Sequence, residues 1–331
     1  MSARSRAFGL LLMLALLLWC VSLASAQSPT FGLSPDDRAL LGDSIVLSGE
    51  ERFFAFDYSF DLQLSGMPDQ GNISVSVTGE GRKAAGDFQI TMIGSGTVNG
   101  ETMPADLELR VVDSVIYARD AQEGTWRSLS EQELNAFMGG AVDSSGAAAL
   151  GDMSQLAAGF SVNPDDFISI SRMADTTVNG VTLAHFRWNL DLIDLANSSG
   201  FTNGLTALGT QPQLSGELSA AGIDSSQLAM AGMLIGMLFS DTTVTLDHYV
   251  NPAENRIMQA VLNVDMNINP AMLGTAGSAP LILQMNLNVN LHDYGVPQTV
   301  TAPENAIVVT ADEMLNPASL IAEEQIIAVQ P

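Results

Sequence analysis

Every second residue from 54 to 64 (Phe54, Phe56, Tyr58, Phe60, Leu62 and Leu64) is apolar or aromatic, and Ala55, Asp57, Ser59, Asp61 and Gln63 lie between them. A period of two over this length predicts a strand with one dry face and one wet face. The same alternation runs through Ile73, Val75 and Val77, through Leu107, Leu109 and Val111, and through Ala184, Phe186, Trp188 and Leu190. It is longest near the end, where Met258, Ala260, Leu262, Val264, Met266 and Ile268 read as one unbroken apolar row. Leu281, Leu283, Met285, Leu287, Val289 and Leu291 then form another, opposite Gln284, Asn286, Asn288 and Asn290. Burying the second row leaves those four amides exposed. Asn99-Gly100 and Asn179-Gly180 are hairpin-type turn signals, since both residue types tolerate positive φ.

Three stretches break the rhythm. Residues 27–50 hold Pro29, Pro35 and several glycines and read as a leader with at most a short helix. Residues 129–160 are rich in Ala, Gly, Ser and Leu and predict one or two short helices. Residues 192–240 begin loop-like and end in a helix from about Asp224, with Gln227 as capping-box partner and Met230, Met233, Leu234, Met237 and Leu238 on one face. The expected fold is mostly β (α+β), a long-stranded antiparallel sheet whose apolar face the helical insertions cover.

The N-terminus changes the picture of where the protein works. Arg4 and Arg6 precede an apolar run over 10–23, and Ala24-Ser25-Ala26 offers a cleavage site before Gln27, so residues 1–26 read as a signal peptide. Cys20 would suit a lipoprotein anchor, but Trp19 before it is too large for that processing. The mature chain is then cysteine-free and depends on core burial. It is expected to be periplasmic, cell-surface or secreted, with no transmembrane segment.

The net charge of −25 argues against nucleic-acid partners and anionic headgroups. His185, His248 and His292 lack metal-ligand spacing and read as strand-surface histidines. No nucleophile elbow, phosphate loop or dinucleotide fingerprint occurs, so no catalytic residue, cofactor or metal is assigned. The many methionines suit a surface that accepts varied apolar partners, or an irregular core.

Val112-Asp113-Ser114-Val115-Ile116-Tyr117, followed by Gly124-Thr125-Trp126, resembles a strand-turn-strand element of the LolA/LolB-like superfamily of envelope carriers. That superfamily includes mycobacterial lipid-carrier lipoproteins of the Lpp/Lpr type. Asn251-Pro252 before the 257–266 strand and His292-Asp293-Tyr294-Gly295 are similar too. The resemblance implies one antiparallel half-barrel over 51–305, followed by an extension over 306–331. Its concave apolar face would hold a lipid or an acylated partner. The residues expected to line it are Phe54, Phe56, Phe60, Trp188, Met230, Met233, Met237, Met258, Leu262 and Leu287. Such a protein is a non-enzymatic carrier. An envelope structural or interaction module with a self-filled core is the alternative, and a carboxylate-based hydrolase comes third.

Overall fold

The computed structural model describes residues 32–66, 72–98, 100–104, 106–120, 124–130, 166–178, 180–201, 241–268, 280–310 and 313. Among these, fourteen strands form a single sheet. They are β1 (Phe53–Ser65), β2 (Ile73–Ala84), β3 (Asp87–Val98), β4 (Glu101–Pro104), β5 (Leu107–Val112), β6 (Val115–Asp120) and β7 (Trp126–Leu129), then β8 (Ile168–Arg172), β9 (Thr176–Val178), β10 (Val181–Leu190), β11 (Thr242–Asn251), β12 (Arg256–Ile268), β13 (Leu281–His292) and β14 (Ile307–Val308). The order across the sheet is β14-β7-β6-β5-β3-β2-β1-β13-β12-β11-β10-β8, with β4 on β3 and β9 on β10. All pairings are antiparallel except β14 on β7. A twisted sheet wider than about ten strands must curl. This one does not close, and its form is an open half-barrel.

Two meanders, β1–β7 and β8–β13, meet at a central seam where β1 pairs with β13 from Ala55↔His292 to Ser65↔Ile282. Directly opposed residues share a face, so the register can be followed from strand to strand. The row Phe56, Tyr58, Phe60, Leu62 continues into Leu291, Val289, Leu287, Met285 on β13, and Leu287 continues into Leu262, Leu246, Trp188 and Ile170. In the other direction it runs through Val77 and Val75, then Met92 and Ile90, to Leu107 and Leu109. One apolar inner face therefore spans the whole sheet. Two glycines fit it to the aromatic row: a Cβ at Gly81 would lie 2.2 Å from the Phe56 ring, and one at Gly79 2.7 Å from the Tyr58 ring.

The outer face is polar. The expected amides lie there: Gln284 and Asn290 are exposed, while Asn286 and Asn288 are half-buried within a cross-strand ladder. Asn286 Nδ2 donates to Asn263 Oδ1 at 2.6 Å, and Gln259 Nε2 to Asn288 Oδ1 at 2.9 Å. Further along, Glu108 accepts from Gln89, Arg110 and Arg119, and both guanidinium groups lie on the Trp126 ring at 4.7 and 4.9 Å.

The leader expectation needs correcting: residues 35–50 are a sixteen-residue helix, α1 (Pro35–Glu50). Ser34 caps it through its Oγ and the Asp37 N–H, Pro35 sits in the first turn, and Asp36 and Asp37 complement the helix dipole. The helix crosses the strands over the inner face of β8–β12. Arg172 on β8 donates to Asp37 near its start, and Arg256 on β12 donates to the Leu47 carbonyl and to Glu51 near its end. Ten residues of helix rise about 15 Å, which matches the roughly 14 Å of three strand spacings. A shorter helix, α2 (Leu192–Asn197), capped by Asp191, occupies the start of the stretch read as a loop.

Three other expectations shift. A bulge between Tyr249 and Val250 breaks the 258–268 row, so Ile257, not Met258, pairs with Val250 and packs under α1. His185 and His248 are buried rather than on the strand surface. The strands also continue past 305, since β14 adds to the edge of β7 and Val309 is buried in the core. The helix expected over 224–239 lies outside the described residues.

Candidate functional site

The two ends of the sheet are built differently. Tight turns close the lower end, with Ala85, Asp113, Ser114, Asn255 and Asp293 at positive φ. The upper end carries Ser65, Leu190, Thr242, Ile268 and Leu281, where the β1–β2, β10–β11 and β12–β13 connections leave the sheet. Packing differs across the inner face as well. On β1–β7 it is buried, and Phe54, Phe56, Tyr58, Phe60, Val77, Phe88, Ile90, Met92, Leu107 and Leu109 form one cluster there. Under α1 a second cluster joins Leu33 and Leu41 to Ile170, Ala184, Phe186 and Val250. Between these two, the upper inner face of β11–β13 belongs to neither. Val244, Leu246, Val264, Met266, Ile268 and Leu281 are only half-buried there. This field, bordered by Leu262, Leu283 and Met285, is the candidate site.

The residues expected to line a cavity are therefore distributed. Phe54, Phe56, Phe60 and Leu287 belong to the first cluster, and Leu262 packs against it at the margin of the open field. Trp188 lies half-buried against the second cluster, and Met258 is the extra residue of the bulge. Met230, Met233 and Met237 lie outside the described residues.

His248, on the inner face of β11, escapes the sequence reading. It is 9% exposed and lies edge-on to Trp188, with ring centroids 5.8 Å apart. Its Nδ1 has no hydrogen-bond partner. Burial pushes the imidazole down to about 4, against a smaller raising effect of Asp247, so it is neutral at ordinary pH. Three steps of alternation upward on the same strand and face, the Thr242 hydroxyl is also buried without a partner. The alternation Val244, Leu246, His248, Val250 is the signal that places His248 among inward residues.

On the opposite face Asp247 is buried between His185 and Arg187. His185 Nε2 lies 2.7 Å from Asp247 Oδ1, and Arg187 donates to both oxygens at 2.8 and 3.0 Å. Burial raises the Asp247 carboxyl, but the hydrogen bonds from Arg187 and His185 outweigh it and hold the group below the usual carboxylate range. Tyr249 stacks on His185 at 4.4 Å. Among the described residues no serine or cysteine bonds to this histidine, and the unit satisfies a buried charge. Among those residues, too, no helix is long and apolar enough to cross a membrane.

No family model and no curated protein matches the chain. Solved structures do resemble it. LprF from Mycobacterium bovis aligns over 82% of this chain and 98% of its own, at 12% identity and a TM-score of 0.37. The Mycobacterium tuberculosis lipoprotein LppX aligns over 80% and 100%, at 12% identity and 0.29. A putative outer membrane lipoprotein-sorting protein domain from Vibrio parahaemolyticus aligns over 80% and 91%, at 6% identity and 0.20.

Proposed function

We propose that this protein is a non-enzymatic, exported carrier that holds a lipid or another hydrophobic group on the upper inner face of its half-barrel. The observation that carries the reading is the contrast along one continuous apolar face. The β1–β7 half is buried, whereas Val244, Leu246, Val264, Met266, Ile268 and Leu281 stay half-covered outside both packed clusters. Apolar surface kept in that state costs free energy of about 25 cal/mol per Å² left in water, which a hydrophobic occupant recovers. Each buried methylene adds roughly 0.8 kcal/mol, so one acyl chain supports useful affinity. The competing reading, a structural module with a self-filled core, draws on the buried half.

Mass spectrometry of organic extracts from the purified protein separates the two. A co-purifying lipid at near-stoichiometric amount is expected, and its absence, together with no uptake of a fluorescent acyl probe, would favour the structural module. Intact mass on the same sample should place the mature N-terminus at Gln27. A diacylglyceryl group on Cys20 would instead make the protein a tethered lipoprotein.

A further inference from the structure

After β13 the chain turns back across the outer face of the sheet. The Gly295 N–H donates to the Phe53 carbonyl at 2.9 Å, Val300 is buried against Ala84 and Val112, and the Thr301 carbonyl accepts from Arg110 before β14 joins β7. Between this strap and the strands lies a pocket of about 90 Å³, well below the roughly 300–1,000 Å³ that encloses a drug-sized ligand. A small residue opens it: Ala55 stands between Arg82 and His292 in one cross-strand row and leaves free the space a longer side chain would fill. Gln298 of the strap lines the same pocket.

Arg82 is the side chain that calls for a ligand. Among the described residues every other arginine, and Lys83, is engaged by a carboxylate, a carbonyl, a ring or another group, whereas the Arg82 guanidinium has no partner among them. It is half-buried in a chain of net charge −25, so part of its hydration is lost without a counter-charge in contact. Glu80 lies two residues away on the same face of β2, about 7 Å along the strand, and its carboxylate is also unpaired, at the exposed rim of the pocket. The other charges are occupied with one another: His292 sits between Asp57 and Asp293, 3.5 and 3.0 Å from their carboxylates.

We propose that this outer-face pocket binds the head group of a free α-amino acid, with its carboxylate on Arg82 and its ammonium on Glu80. A space of this size takes the head group and leaves the amino acid's side chain in solvent. The guanidinium fork matches a carboxylate in a bidentate pair. A lone anion on Arg82 would also meet Glu80 and Asp57, and a lone amine would meet Arg82, so a ligand with both charges on one carbon is favoured over either. The site lies on the face opposite the apolar field and is independent of the carrier reading.

The test uses the mature chain and ligand-observed NMR with each standard L-amino acid, and with propionate and ethylamine, which each lack one of alanine's two charges. Alanine should bind, and both analogues should bind about tenfold more weakly or worse, the worth of one charged hydrogen bond. Arg82→Gln and Glu80→Gln each remove one charge at an outer-face position. Each should weaken alanine binding by a similar factor, while the unfolding midpoint and the uptake of a fluorescent acyl probe stay unchanged. In wild-type protein labelled with ¹⁵N-arginine, alanine should shift the side-chain Nε resonance that Arg82→Gln removes. No binding of any amino acid at millimolar concentration, or alanine binding that survives Arg82→Gln, would overturn the site. Propionate binding as tightly as alanine would overturn the zwitterionic class. Failure of the wild-type protein to take up the acyl probe would count against the carrier reading and leave this site standing.

Discussion

His248 shows how one side chain links stability to pH. Its folded-state value of about 4 lies below the ordinary 6.5, so on acidification the unfolded chain takes up this proton first. Stability is therefore full above pH 6.5 and is lost as pH falls toward 4, by on the order of 3 kcal/mol. Asp247, held below its usual range, gives up its own contribution lower still, as pH falls through its folded value. Denaturant midpoints measured from pH 8 to 4 should fall, and His248→Phe should flatten the segment between 6.5 and 4. An unchanged slope in that variant would refute the assignment. Gly81 makes a second point at this scale. Because its missing Cβ is filled by the Phe56 ring, Gly81→Val should push that ring off the core and cost about 1–3 kcal/mol in equilibrium unfolding.

At the scale of elements, strands were legible and their coverings were not. The rows over 54–64 and 281–291 carry a strict period of two, and they form β1 and β13 in the register that the period demands. The Asn-Gly signals end in two-residue hairpins at Val98↔Glu101 and Val178↔Val181. Helix α1 was hidden because its apolar positions, Leu40, Leu41 and Ile45, are few and set among Pro35, Gly42 and acids. Docking on Phe186 and Val250 stabilises it more than its own amphipathicity does. The alternation Val244, Leu246, His248, Val250 puts His248 on the inner face, but without that helix in view nothing marks that part of the face as covered. The bulge at Met258 was equally silent, since an extra residue leaves an apolar string looking continuous. Docking of α1 has a measurable consequence. Leu41, 4% exposed, packs in the second cluster, so Leu41→Ala should cost about 2–5 kcal/mol. It should also raise binding of an environment-sensitive dye in the absence of lipid. A loss below half a kcal/mol would mean that the helix is peripheral.

For the whole molecule, the open sheet has two outer strands to protect. On one side β14 pairs in parallel with β7, the Val309 N–H donates to the Ser128 carbonyl at 3.0 Å, and Val309 is buried in the first cluster. A chain ended at residue 305 should expose the β7 edge, a template for strand addition. Light scattering should then show concentration-dependent association that the full chain lacks, and a monomeric truncated protein would argue that β14 is dispensable. The central seam has a different consequence, one of timing. Residue 55 pairs with residue 292, so β1 leaves the ribosome among the first strands and its partner β13 among the last. The β2 side of β1 can be paired at once, but its other side waits until nearly the whole chain has been made. Non-local pairing of this kind is slow. Throughout that interval a long strand rich in phenylalanine has one bare edge. Synthesis thus creates a period in which the nascent chain depends on something other than its own fold, a holding chaperone or delayed collapse, to keep β1 from pairing with the wrong strand.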